Sequence, residues 1–106
     1  MRLIKMGLMV LLGAWSCQAD QADWQKRTLT TDFISEGASV ADFDGDGQVD
    51  LASGPYWWRG PEFSEKFEYR EGQPFDPRGY SDHFFSFTAD IDRDGDADVI
   101  SVGFPG

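Results

Sequence analysis

Apolar residues alternate with small or polar ones in four short stretches of the chain: "GASVADF" (Gly37–Phe43), "VDLASG" (Val49–Gly54), "FFSFTADI" (Phe84–Ile91) and "ADVISVG" (Ala97–Gly103). A period of two sends successive side chains to opposite faces of an extended backbone, so each stretch is expected to be a β-strand. "RTLTTDFISEG" (Arg27–Gly37) is read as one further strand and a turn. The intervening "PYWWRGPEFSEKFEYREGQPFDPRGYSDHF" is rich in aromatics, Gly and Pro, with no sustained 3.6-residue period. Short strands joined by long loops are expected there. The expectation is an all-β chain without a helix in this part.

The first residues follow another logic. Arg2 and Lys5 precede the apolar run Met6–Trp15, and small or polar residues follow it. A basic flank, a short apolar stretch and a small residue at the cut site describe a secretory signal, and the run falls short of the ~20 residues of a membrane-spanning helix. Residues 1–19 are therefore read as a signal peptide cleaved after Ala19. Processing at Cys17, within "GAWSC", is the lipoprotein alternative and would leave a lipid anchor there. The expected location is secreted, periplasmic or extracellular, with no membrane insertion once the signal is gone. Cleavage after Ala19 removes the single cysteine of the sequence, so no disulfide would staple the remaining domain, residues 20–106.

Charge narrows the partners. The chain carries 19 acidic and 9 basic residues, a formal charge of −10. All 19 acids lie from Asp20 onward, against 7 Lys and Arg, so the exported part stands near −12. Nucleic acid and anionic membrane, which require clustered cations, are excluded as partners. Divalent cations suit the balance.

Nine of the acids crowd into two loops, "ADFDGDGQVD" (Ala41–Asp50) and "ADIDRDGDAD" (Ala89–Asp98). The loops are 48 residues apart, and Ser39–Ser53 matches Phe87–Ser101 without a gap at seven of fifteen positions. A period of this length is a signature of repeat architectures, propeller blades included. Numbering each loop from its first aspartate, carboxylates fall at positions 1, 3, 5 and 9: Asp42, Asp44, Asp46 and Asp50, then Asp90, Asp92, Asp94 and Asp98. Gly47 and Gly95 at position 6 permit the positive φ that turns the chain back on itself. Gln48 and Asp96 at position 7 can then offer their backbone carbonyls. Several oxygens at ~2.3–2.6 Å are what Ca²⁺ asks for, whereas Mg²⁺ keeps more of its waters. An EF-hand is rejected at position 12, where its bidentate Glu is replaced by Ser53 and Ser101 and the flanks are strand-like.

The pattern D-x-D-x-D-G-x-x-D followed by an apolar strand resembles the calcium loops of FG-GAP/VCBS-type repeats, the blades of integrin-α-like β-propellers. The likeness covers about residues 37–60 and 84–103. It implies two Ca²⁺ sites, held by the eight position-1, -3, -5 and -9 aspartates with Gln48 and Asp96. It implies a partial β-propeller of about two blades. Propellers close with roughly four to eight blades, so the chain is expected to be a fragment of a larger one. The resemblance implies an adhesion or ligand-binding scaffold with a protein or glycan ligand. The alternative is the N-terminal propeller part of an exported carbohydrate-active enzyme, of lyase or dehydratase type, with its catalytic residues beyond this chain.

No catalytic set stands out. His83, the only histidine, lies beside Asp82 in "YSDHFF" and reads as a hydrogen-bonded loop residue rather than a general base. Trp57 and Trp58, neighbours on a strand, face opposite ways. One is expected in the core and the other exposed, where it can serve as a platform for a sugar ring.

Overall fold

A computed structural model describes residues 22–104, and their fold is all-β, with no helix among the described residues. The expected signal peptide and Cys17 lie outside that range. Six strands follow in chain order: β1 (Ala38–Ala41), β2 (Asp50–Ser53), β3 (Tyr56–Trp58), β4 (Lys66–Glu68), β5 (Phe85–Ala89) and β6 (Asp98–Val102). The first four form one antiparallel meander in sequence order, and β5 and β6 form a separate antiparallel hairpin. The four stretches of alternating sequence are β1, β2, β5 and β6, and each acidic loop joins the two strands of a hairpin. Those two hairpins share one register: Ala41 faces Asp50 and Val40 faces Leu51, as Ala89 faces Asp98 and Thr88 faces Val99.

The pleat sorts the larger sheet into two faces. Ser39, Ala52, Trp57 and Phe67 form one row across the four strands, and Val40, Leu51, Trp58 and Lys66 form the adjacent row on the opposite face. Trp58 is buried and Trp57 half-buried, on opposite faces as the alternation required. Trp58 shares its face with the buried Ile34, while Ala52 is buried on the opposite face beside Trp57. The Trp58 indole alone withdraws enough apolar surface to stabilise the fold by on the order of 4 kcal/mol.

Residues 27–37 form no strand, contrary to the expectation from their sequence. Their polar groups are met locally and irregularly instead. The Thr30 hydroxyl accepts the Asp32 N–H, Ser35 Oγ accepts the Gly37 N–H, and the Phe33 carbonyl accepts the Phe75 N–H. The segment lies over the Leu51–Trp58 face, where Ile34 is buried and meets the β2–β3 turn at Gly54. Gly54 takes φ 58°, and a Cβ there would stand 2.7 Å from the Ile34 carbonyl oxygen.

The hairpin packs against the other face, along a seam between β1 and β5. The Gly37 N–H donates to the His83 carbonyl at 3.2 Å, and the Ser39 and Ser86 hydroxyls meet at 2.9 Å. A Cβ on Gly37 would sit 2.7 Å from the Ser86 nitrogen, so the two strands approach through the absence of a side chain.

His83 is buried at this seam and centres a polar network. Its N–H donates to Ser81 Oγ, whose hydroxyl in turn donates to the Glu36 carboxylate. Its ring stands 3.1 Å from Ser101 Oγ, and the Arg70 guanidinium contacts the ring with Nη2 2.8 Å from Nε2. Burial, and then the Arg70 charge, hold the imidazole below its ordinary pKa; Asp82 and Glu36 pull the other way and are outweighed. The neutral ring is thus the folded form. Its stabilising contribution is complete above the unfolded value near 6.5 and is lost as pH falls through the lower folded value. Urea unfolding between pH 7.5 and 5 is expected to show a loss of stability that His83→Gln lacks; parallel profiles for the two proteins would contradict the assignment.

Candidate metal centres

Each acidic loop is a set of side chains folded onto its own backbone. In the first, the Asp42 carboxylate accepts the N–H groups of Asp46 and Gly47, Asp44 accepts that of Asp46, and Asp46 accepts that of Gln48. Asp50, at the start of β2, accepts the N–H of Phe43 and so ties the end of the loop to its beginning. The second loop makes the same five bonds. Asp90 accepts from Asp94 and Gly95, Asp92 from Asp94, Asp94 from Asp96, and Asp98 from Ile91. Across both loops these distances lie between 2.8 and 3.2 Å. Charge-assisted bonds of this kind are about twice as strong as neutral ones.

The backbone reverses at two positions, one more than the glycine pattern announces. Gly47 and Gly95 at position 6 take φ 83° and 96°, as expected. Position 4 also lies in the left-handed region, with Gly45 at φ 75° and Arg93 at φ 63°. A Cβ on Gly45, Gly47 or Gly95 would meet nothing within 4 Å, so conformation, not space, selects glycine there. Gly45 was the available signal for this requirement, and Arg93 conceals it in the second loop. The Arg93 side chain is exposed, in keeping with its expected outward direction.

This geometry gathers carboxylates. One oxygen each from Asp42, Asp44 and Asp50 lies within 4.8 Å of the other two, and Asp90, Asp92 and Asp94 do the same. Oxygens that share one ion at ~2.3–2.6 Å can be at most about 5 Å apart, so either triplet can hold a metal ion. Asp46, Asp96 and Asp98 stand outside the triplets. The two centres differ in their surroundings. Asp50 is fully buried in the first, whereas all three residues of the second are exposed.

Two residues that sequence reasoning passed over complete the first loop. Arg59, just after β3, donates through Nε to Asp44 Oδ2 at 2.7 Å and also pairs with Glu65. Burial pushes the Asp44 carboxyl up, but the Arg59 hydrogen bond and the Asp46 amide outweigh it and hold it below its ordinary value. The Gly60 N–H donates to Asp50 Oδ1 at 2.8 Å, giving that buried carboxylate a second partner. No local pattern marks either residue, because both lie just past β3, distant in sequence from the loop they meet.

His83 belongs to neither centre. Its one lone-pair nitrogen is engaged by Arg70, which has only donors to offer, so the ring is not free to draw a proton from Ser101. Trp57 stacks on Phe67 at 4.5 Å and meets the edge of Phe43, the residue that opens the first loop. Comparison with protein-family models, curated proteins and solved structures finds no match for this chain.

A side chain in the left-handed region costs about 1 kcal/mol relative to glycine. Arg93→Gly is therefore expected to stabilise the protein by about 0.5–1 kcal/mol in urea unfolding, whereas Gly47→Ala costs a similar amount. A neutral or destabilising Arg93→Gly would show that the second loop does not hold this conformation.

Proposed function

We propose that the chain is a Ca²⁺-stabilised segment of an exported FG-GAP/VCBS-type β-propeller that serves as a binding scaffold. The observation that carries this reading is the duplicated set of five hydrogen bonds, which draws three carboxylates together in each of two loops. Donor chemistry then selects the ion. Every side-chain donor is a carboxylate oxygen, with neither His nor Cys, and such a set suits a hard cation rather than zinc or copper. The loops are curled rather than octahedrally constrained, which favours Ca²⁺ over Mg²⁺.

In this reading Asp42, Asp44, Asp46 and Asp50 with the Gln48 carbonyl hold one ion, and Asp90, Asp92, Asp94 and Asp98 with the Asp96 carbonyl hold the other. Asp46 and Asp98 turn inward when the ion enters. The four-stranded antiparallel meander has the strand number of one propeller blade, and the hairpin with the same register corresponds to the first half of the next. The charged N-terminal flank and short apolar run support export. The biochemical role is to present a rigid surface to a protein or glycan ligand, with the metal ions setting the angle between adjacent strands.

Calorimetric titration with CaCl₂ is expected to show two inequivalent sites, with MgCl₂ binding more weakly at both. Asp92→Asn, which keeps the shape and removes one charge, should weaken one site by about tenfold or more and leave the other. A folded sample that takes up no Ca²⁺, or a variant with an unchanged isotherm, would contradict the proposal.

A further inference from the structure

Arg59 stands beside the first acidic loop on supports of its own. Its backbone N–H donates to the Glu65 carbonyl at 3.1 Å and its carbonyl accepts the Phe63 N–H at 2.9 Å, so the turn between β3 and β4 fixes its backbone. The guanidinium lies 5.0 Å from the centroid of Phe67 and 5.8 Å from that of Trp57, which stacks on Phe67. Nη1 donates to the Glu65 carboxylate at 3.0 Å. It is Nε that reaches the loop, donating to Asp44 Oδ2 at 2.7 Å. If that bond opens, a carboxylate and two aromatic rings still hold the guanidinium.

The place of Asp44 among the loop carboxylates has a separate cause. Its Oδ1 accepts the Asp46 N–H at 3.2 Å, and the second loop brings Asp92 into its own triplet with the same bond, from Asp94 at 3.1 Å. An amide common to both loops thus gathers the position-3 carboxylate. What Arg59 adds is charge. A dication at ~2.3–2.6 Å from either oxygen of Asp44 would lie no more than about 7 Å from Arg59 Nε. That is inside the ~8 Å screening length at physiological ionic strength, so the two cations repel. The Arg59 side chain is 39% exposed, which moderates the repulsion without removing it.

We propose that Arg59 sets the calcium threshold of the first loop, as a resident cation that pairs with Asp44 at low calcium and yields it when the ion enters. The inference rests on the calcium reading above and concerns the regulation of that same site. At low calcium, Arg59 offsets part of the repulsion among Asp42, Asp44 and Asp50 and keeps the loop in shape. At high calcium, the guanidinium retires to Glu65 and the Trp57–Phe67 stack. Arg59 therefore stabilises the empty loop and weakens the affinity of the loop for the dication.

The experiment uses the whole chain carrying Asp92→Asn, which weakens the second site, and adds Arg59→Met, Arg59→Gln or Arg59→Lys to it. In calorimetric titration with CaCl₂, Arg59→Met and Arg59→Gln should each bind about tenfold more tightly at the first loop, through loss of the nearby positive charge. Arg59→Lys keeps that charge and should bind like the parent. Urea unfolding gives a second readout. In chelator the two neutral variants should unfold at a lower urea midpoint than the parent, and in saturating calcium the gap should close. A merely structural role would lower the midpoint equally in both conditions. Arg59→Gln retains a donor for Asp44, so it carries the test if Arg59→Met fails to fold. Equal or weaker calcium binding by the neutral variants, or a midpoint gap that calcium leaves unchanged, would overturn the proposal and leave the calcium reading standing. Folded proteins that take up no calcium, parent and variants alike, would overturn that reading and this inference with it.

Discussion

Carboxylates brought within a few ångströms of one another repel by about 4 kcal/mol per close pair at an effective dielectric near 20. Both loops accept that repulsion, and both meet part of it in the same way, by turning backbone N–H groups onto the acids. The bond from position 9 back to position 2 does most to shape the fold, because Asp50 and Asp98 each begin a strand. Through that contact, loop conformation fixes where β2 and β6 start, and so fixes the register of each hairpin. Backbone donors spread the negative charge but do not cancel it. The gathered triplets could hold a metal ion.

The two units differ in how much of the loop charge other parts of the protein meet. In the first, Arg59 contributes a positive charge and Gly60 a second amide, and Asp50 can be fully buried. The second loop is exposed and, among the described residues, its acids are met only by its own backbone. The same contrast runs through the packing. One face of the large sheet meets residues 27–35 and the other meets the hairpin, whereas the outward face of the hairpin exposes Phe85, Phe87 and Val102. The two units thus differ, among the described residues, in how far sheet pairing and packing cover them.

What the sequence revealed and what it hid follow from the range of the interactions concerned. The four strands around the loops were legible because a period of two is a local signal, and the placing of Trp57 and Trp58 on opposite faces follows from the same pleat, although Trp57 is half-buried against Phe67 rather than exposed. The position-1, -3, -5 and -9 aspartates were legible because their spacing repeats, although Asp46 and Asp98 stand outside the gathered triplets. Residues 27–37 misled: "RTLTTDFI" has β-type side chains, yet Thr30 and Ser35 satisfy nearby amides, and the segment packs as an irregular cover over Trp58. Arg93 hid the second backbone reversal because its side chain bears no mark of the φ it adopts. The network of His83 with Arg70, Ser81, Glu36 and Ser101 was invisible, since its members come together only where β1 meets β5.

Under the proposed function, a dication in each loop would help to hold the fold. Thermal unfolding in excess chelator and at increasing free Ca²⁺ tests it most directly. The midpoint is expected to be lowest in chelator and to climb with the logarithm of calcium concentration once the sites saturate. A midpoint identical in chelator and in millimolar calcium would contradict it.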